Sequence, residues 1–199
     1  VVKGRNVARK PHAIAVRKPN VSQPETKSVG EPLLLDLGCG KNKKAGYVGV
    51  DSIKFDGVDK VADLRKTWPW KDNSVDDVHC SHFLEHLTGA ERVHFFNELH
   101  RVLKKDAKAT IIVPAWNNER AYGDPTHQWP PVVGFAFYYL DKGWREVNAP
   151  HCGYTCDFGF IGGNSLANPW SMKTQEAQIF AQTHYTNVAM DMHVTLNKR

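Results

Sequence analysis

The stretch "LLLDLGCGKN" (33–42) decides the fold. Leu33, Leu34, Leu35 and Leu37 form an apolar run of strand length, broken only by Asp36, and Gly38 and Gly40 follow at once. Glycines directly after a buried strand let the chain turn sharply and let a ligand approach the main chain without meeting a Cβ. Reading outward, "YVGVDS" (47–52) is a second strand ending in Asp51, "VADL" (61–64) a brief third, and "SVDDVHCS" (74–81) a fourth whose apolar positions are Val75, Val78 and Cys80. "KATIIVPA" (108–115) makes a fifth, with a further strand near 156–161, a polar helical stretch near 172–184 and a last strand in "MDMHVTLNK" (190–198). Strands recurring between helical or loop segments predict an α/β fold: a mostly parallel sheet of about seven strands with an antiparallel edge strand.

One helix is written plainly. Thr88 and Glu91 have capping-box spacing, and Phe95, Phe96, Leu99, Val102 and Leu103 follow on one helical face, with Lys104 and Lys105 where the helix dipole favours cations. On this helix His94 and His100 read as surface or boundary residues. By contrast, only residues 38–46 separate strands one and two, too few for a full crossover helix, so the first crossover is a loop or a single turn.

Composition bounds the rest. A chain of 199 residues, 41% hydrophobic and 24% charged, suits one domain with a substantial core. The longest apolar run, "VVGFAFYYL" (132–140), is about half of what a bilayer requires and reads as a buried cap helix. Cysteines 39, 80, 152 and 156 are too few and scattered for a secreted disulfide framework, which points to a reducing, cytoplasmic setting. The formal charge of +5 is local: residues 1–30 hold seven lysines and arginines against Glu25, net +6, leaving 19 cations and 20 acids, net −1, in the rest. With prolines at 11, 19, 24 and 32, residues 1–32 read as a basic, flexible arm, either solvated or in contact with nucleic acid or an acidic partner, ahead of a domain over 33–199.

A Gly-x-Gly turn alone does not identify its ligand. The dinucleotide pattern Gly-x-Gly-x-x-Gly fails because its last position is Lys43, and Asp51 lies 11 residues beyond Gly40 where that pattern sets its ribose-binding acid about 20 further on. A nicotinamide cofactor is therefore disfavoured. An acid at the end of strand two suits the two hydroxyls of a ribose, Asp63-Leu64 suits an adenine, and Asp36 orders the glycine turn or meets an ammonium group: the parts of an adenosyl site.

"LLLDLGCGKN", "YVGVDS", "VADL", "WKDNSVDDVHCSHFLEHL" and "ELHRVLKKDAKATIIVPA" resemble, in order over residues 33–115, the successive motifs of class I S-adenosylmethionine-dependent methyltransferases, in particular a small-molecule branch ending its fourth strand in a "-HxLEHL" sequence. The resemblance implies a Rossmann-like sheet and S-adenosylmethionine as cofactor. It also implies Asp36, Gly38, Cys39 and Gly40 at the methionine moiety, Asp51 at the ribose, Asp63 and Leu64 at the adenine, and Ser81 and His82 beside the sulfonium. DNA amino-methyltransferases of this fold usually carry an Asn- or Asp-Pro-Pro-aromatic motif where this chain reads "CSHF", so methylation of an exocyclic base nitrogen is disfavoured and a nucleoside, sugar, peptide or small metabolite stays open as acceptor, with a small metabolite, sugar or nucleoside expected first.

Two metal signatures deserve weighing. His82-x-x-Glu85-His86 has zinc-hydrolase spacing, but it straddles a strand end and precedes the capping box, so the two histidines are not expected to share a helix face; Glu85-His86 reads as a hydrogen-bonded brace. "HCGYTC" (151–156) holds a lone Cys-x-x-x-Cys and reads as two buried free thiols. No metal is expected. Methyl transfer from a sulfonium needs an aligned nucleophile and, where the nucleophile carries a proton, a base. The lid or cap insertion at about 115–150, "PAWNNERAYGDPTHQWPP" at its start, offers His127 as that base with Asp124 orienting it, against a reading of Asp124-Pro125-Thr126-His127 as a self-bonded turn. The competing function is a non-catalytic module of the same fold that uses its basic arm for binding.

Overall fold

The computed structural model describes residues 30–199; of the basic arm, residues 1–29 lie outside the described residues. Seven strands form one sheet in the order β3-β2-β1-β4-β5-β7-β6. They are β1 (Leu34–Leu37), β2 (Val48–Asp51), β3 (Lys60–Val61), β4 (Val75–Ser81), β5 (Leu103–Pro114), β6 (Phe158–Leu166) and β7 (Ala189–Lys198). β1 to β5 run parallel, while β7 is antiparallel to β5 on one side and to β6 on the other, so the single reversed strand sits at the β6 end of the sheet. The α/β sheet expected from the sequence is the one observed.

Alternation along the strands explains how the sheet is covered. Leu35, Leu37, Val50, Val78, Cys80, Ala109, Ile111, Val113, Val194 and Leu196 share one face by register and are buried. The helix α1 (Gly89–Val102) presents Phe95, Phe96, Leu99 and Val102 to the same core. The opposite face carries the rows Asp36, His79, Thr110, Thr195 and Leu34, Asp77, Lys108, Asn197, which are largely polar. Parallel sheets usually bury both faces and read as continuous apolar runs; here β4 and β5 alternate because neither the β1–β2 nor the β2–β3 connection contains a helix. The shortened first crossover is thus observed, and the second is short as well.

The capping box forms as read: Thr88 Oγ1 accepts from Glu91 N (3.4 Å) and Thr88 N donates to Glu91 Oε2 (2.8 Å). α1 ends earlier than the sequence suggests. Leu103 is extended (φ −62°, ψ 142°) and opens β5, so Lys104 and Lys105 lie on a strand, where Lys104 pairs with Asp76 (2.6 Å) instead of serving the helix dipole. Residues 115–150 contain α2 (Arg120–Gly123), a 3-10 segment (Gly134–Leu140) and α3 (Lys142–Asn148). The apolar run 132–140 is half-buried: Phe137 packs on Phe96 and Phe160 in the core, while Phe135 is 58% exposed. That half of residues 115–150 therefore covers the sheet on the α1 side. The helix α4 (Gln175–His184) precedes β7.

A buried carboxylate ties α1 to the chain before β4. Glu98 accepts from Arg101 Nε (2.7 Å) and Nη2 (2.7 Å) and from Trp68 N (2.6 Å), and the guanidinium holds its carboxyl below the usual carboxylate range. A depressed folded pKa means that its contribution is complete above the unfolded value, about 4.3, and is lost as pH falls through the folded one. Glu98→Gln is therefore expected to lower the melting temperature at neutral pH and to shrink that difference below about pH 4. Melting curves whose difference stays constant across that range would remove Glu98 from the acid response.

Candidate functional site

The site begins at the turn after β1. Gly38 (φ +68°) and Gly40 (φ +51°) are left-handed, and Gly38 N and Cys39 N both donate to Val50 O (2.8 and 3.1 Å), which fastens the turn to β2. Asp51 completes the fastening: its Oδ2 accepts from Gly40 N (3.0 Å) and its Oδ1 from Ile53 N (3.0 Å). Around Gly40 nothing lies within 4 Å of where a Cβ would be, so the main chain there is open to a ligand. Gly38 is different, because a Cβ would run into the ring of Phe83 and sit 2.6 Å from Phe83 Cβ. Asp36, 2% exposed on the polar face of the sheet, accepts from Lys44 N (2.7 Å) and bonds His79 Nδ1 (2.7 Å), so it orders the turn. Cys39 is buried, and burial, with Asp36 and Asp51 nearby, raises its thiol pKa.

Beyond β2 and β3, Ser52, Asp63, Leu64, Phe83, His86 and Leu87 line a cavity of about 200 Å³. The Asp63 carboxyl is held low by the Arg65 guanidinium (Nε to Oδ1 2.8 Å), and Leu64 is buried. This brings together the two residues expected at an adenine.

At the end of β4, Ser81 is half-buried and His82 takes a left-handed backbone (φ +53°), uncommon for a residue with a Cβ and characteristic of constrained functional positions. His82 Nδ1 bonds Glu85 Oε1 (3.2 Å) and Nε2 lies 3.6 Å from Asp191 Oδ1; the Glu85 bond raises the imidazole pKa. A 3-10 turn (Leu84–His86) follows, and α1 starts only at Gly89, so His82 and His86 do not share a helix face, as the sequence suggested.

His82, Glu85, His86, Glu119, Arg120, Asp124 and His127 line a cleft of about 820 Å³ just past β4 and β5. Asp124 is not within hydrogen-bonding distance of the His127 ring, since its Oδ2 is 3.9 Å from Nε2; its Oδ1 accepts instead from Thr126 N (2.8 Å) and Thr126 Oγ1 (2.7 Å). The ring is oriented by a main-chain carbonyl, with His127 Nδ1 3.1 Å from Ala121 O. The Thr126 hydroxyl donates its one hydrogen bond to the carboxylate, so its oxygen accepts from His86 Nδ1 (2.9 Å). Both rings thereby direct Nε2 away from these partners, and they meet edge-to-face at 4.8 Å between centroids. The thiols of 151–156 lie elsewhere: Cys156 is buried, with its pKa pushed up to about 12 by burial, Cys152 is half-buried, and both are free.

Comparison with known proteins fits this geometry. Residues 41–111 match a family model described as a methyltransferase domain. Among solved structures, a SAM dependent methyltransferase from Archaeoglobus fulgidus superposes with a TM-score of 0.61 at 19% identity, covering 85% of this chain and 87% of that one. The YcgJ protein from Bacillus subtilis superposes with a TM-score of 0.50 at 15% identity, covering 85% and 92%. The [4+2]-cyclase SpnF gives 0.51 at 15%, covering 85% and 75%. The comparison with curated proteins gave no match. Sheet order, motif match and superpositions together define the class I S-adenosylmethionine-dependent methyltransferase fold. A cyclase on the same fold shows why the reaction must be argued from the site.

Sequence reasoning missed two things here. Phe83, which fills the space over Gly38, carries no signal beyond being aromatic. The grouping of Glu85 and His86 with His127 joins positions about 40 residues apart, and no spacing rule reaches across that separation.

Proposed function

We propose that this protein is an S-adenosylmethionine-dependent methyltransferase acting on an oxygen or nitrogen of a small polar acceptor such as a metabolite, sugar or nucleoside. The observation that carries the reading is the succession at the carboxyl ends of the parallel strands, where open α/β sheets bind ligands. The open glycine turn with Asp51 comes first, then the cavity with Asp63 and Leu64, then the polar cleft, with His86 on the walls of both cavity and cleft. In this reading Gly40, Cys39 and Gly38 border the methionine moiety, with Asp36 holding that turn. Asp51 accepts the ribose hydroxyls, Asp63 and Leu64 face the adenine, and Ser81 and His82 flank the sulfonium.

The acceptor lies in the cleft. Its lone pair forms a bond to the methyl carbon as the carbon–sulfur bond breaks, the bonding pair leaving on sulfur to give S-adenosylhomocysteine. The acceptor's proton passes to the free Nε2 of His127, with Asp124 acting at one remove by fixing Thr126 and the loop. The cleft is lined by imidazoles, carboxylates and Arg120, which suits a polar acceptor better than a hydrocarbon one.

Calorimetric titration of the purified protein with S-adenosylhomocysteine, with NAD in parallel, tests the cofactor. Binding of the former alone supports the reading and licenses acceptor screening with labelled S-adenosylmethionine; no binding by folded protein favours a non-catalytic module. Asp51→Ala is expected to lose a charge-assisted contact of about 1.5–3 kcal/mol, roughly 10- to 150-fold in affinity. Unchanged affinity would refute the ribose assignment.

A further inference from the structure

We propose that Glu85, His86 and His127 form a binding site for one first-row divalent cation at the inner end of the acceptor cleft. One ligand atom from each lies within 4.8 Å of the other two. A tetrahedral zinc shell has its ligands about 3.3 Å apart, so closure asks for small side-chain adjustments only.

Two independent features mark this as a built site. First, Glu85 is 5% exposed, and its Oε2 is buried with no hydrogen-bond partner, although its other oxygen is held by His82. A carboxylate oxygen left unsatisfied in the interior is costly, and a bound cation would remove that cost. Second, each prospective ligand has one heteroatom fixed: Glu85 Oε1 by His82, His86 Nδ1 by Thr126, and His127 Nδ1 by the Ala121 carbonyl. Such outer partners set the tautomer, leaving the Nε2 lone pairs free, and are the usual support of metal-binding imidazoles. The Thr126 hydroxyl that supports His86 is itself anchored on Asp124 Oδ1 (2.7 Å), which carries this outer support one bond further.

Two imidazoles and a carboxylate suit zinc, iron(II), cobalt(II) or manganese(II) over calcium or magnesium. Three protein ligands leave a coordination position, and because all three residues line the cleft, that position faces it. An oxygen ligand there, water or the acceptor's hydroxyl, would have its pKa lowered by the cation. This role, though not the cation binding, rests on the methyltransferase reading; with the cation bound, the His127 lone pair serves coordination and the acceptor's acidity comes from the metal.

The test uses the full chain after chelator treatment. Zn²⁺ is titrated in competition with a chromophoric chelator, Co²⁺ is followed by its visible spectrum, and S-adenosylhomocysteine is titrated in parallel. One tight equivalent is expected, weakened about 100-fold or more in His86→Ala and in His127→Ala, and about 10-fold in Thr126→Ala, where only the outer support is lost. Cys152→Ser, in the separate thiol segment, should leave it unchanged. Melting curves confirm that each variant is folded, and Glu85→Gln, which keeps the side-chain shape, provides a third ligand test. No tight equivalent in the parent protein, or affinity unchanged from the parent in both histidine variants, overturns the site. S-adenosylhomocysteine binding without zinc binding would remove only the cation site, whereas zinc binding without S-adenosylhomocysteine binding would remove only the methyltransferase reading.

Discussion

His127→Ala is expected to slow methyl transfer by about 100-fold or more while leaving S-adenosylhomocysteine affinity within about threefold. The asymmetry follows from where the ring sits. His127 lines the cleft and not the cavity that holds Asp63 and Leu64, so substitution acts directly at the acceptor end and reaches the cavity only through His86. The same change breaks the bond to Ala121 O and the edge-to-face contact with His86, so a structural role would appear as a lower melting temperature and disturbed cofactor binding. Turnover at saturating acceptor, measured with labelled S-adenosylmethionine beside a calorimetric titration, separates the two. Loss of turnover with affinity retained makes His127 a catalytic residue, and parallel loss of both makes it a support of the loop. Dependence of the residual rate on added zinc would further divide proton acceptance from coordination.

How much was legible in the sequence depends on the range over which each feature is encoded. The strand–glycine turn at 34–40, the capping box at Thr88 and the order of strands are local patterns, and each is present. The end of α1 was misjudged because Leu103 satisfies the helical period and the buried face of β5 equally well, and periodicity cannot choose between them. Between the two readings of 124–127, Asp124 orienting His127 or a self-bonded turn, the hydrogen bonds are those of the turn, with Asp124 Oδ2 left 3.9 Å from His127 Nε2. A sequence shows that Asp124 is three residues away, but not that the carboxylate is already committed to the amide and hydroxyl of Thr126. The HxxEH stretch was rightly denied a helical zinc geometry, yet two of its members meet a third residue from the far side of β5, and only the fold makes that meeting. The polar rows on the opposite face of the sheet correspond to the residues between the apolar positions of "VDDVHCS" and "KATIIV". Their meaning needed the observation that two crossovers lack helices.

The second large effect is expected at Gly38, where alanine should lower the melting temperature by about 5–15 °C, corresponding to about 2–5 kcal/mol in a chain of this size. Two penalties add. A left-handed backbone costs a residue with a Cβ about 1–2 kcal/mol, and the new Cβ collides with Phe83 at both its ring and its Cβ, so the whole side chain must move and not merely its tip. Phe83 packs on Phe95 in the core, with centroids 6.0 Å apart, which limits where it can go. Gly40→Ala isolates the first penalty, because its backbone is left-handed with nothing within 4 Å of the added carbon; it should cost only about 1 kcal/mol in stability. Phe83→Ala isolates the second. In the double variant Gly38→Ala/Phe83→Ala the collision is gone, so the loss should be smaller than the sum of the two single losses by about 1–3 kcal/mol. Strict additivity would mean that the two side chains never compete for the space over the turn, and Phe83 would no longer account for the glycine at 38. The same variants bear on the cofactor, because Phe83 also lines the cavity of Asp63 and Leu64: a side chain displaced by Gly38→Ala moves into that cavity's wall, and S-adenosylhomocysteine affinity should fall with stability in the single variant and recover in the double.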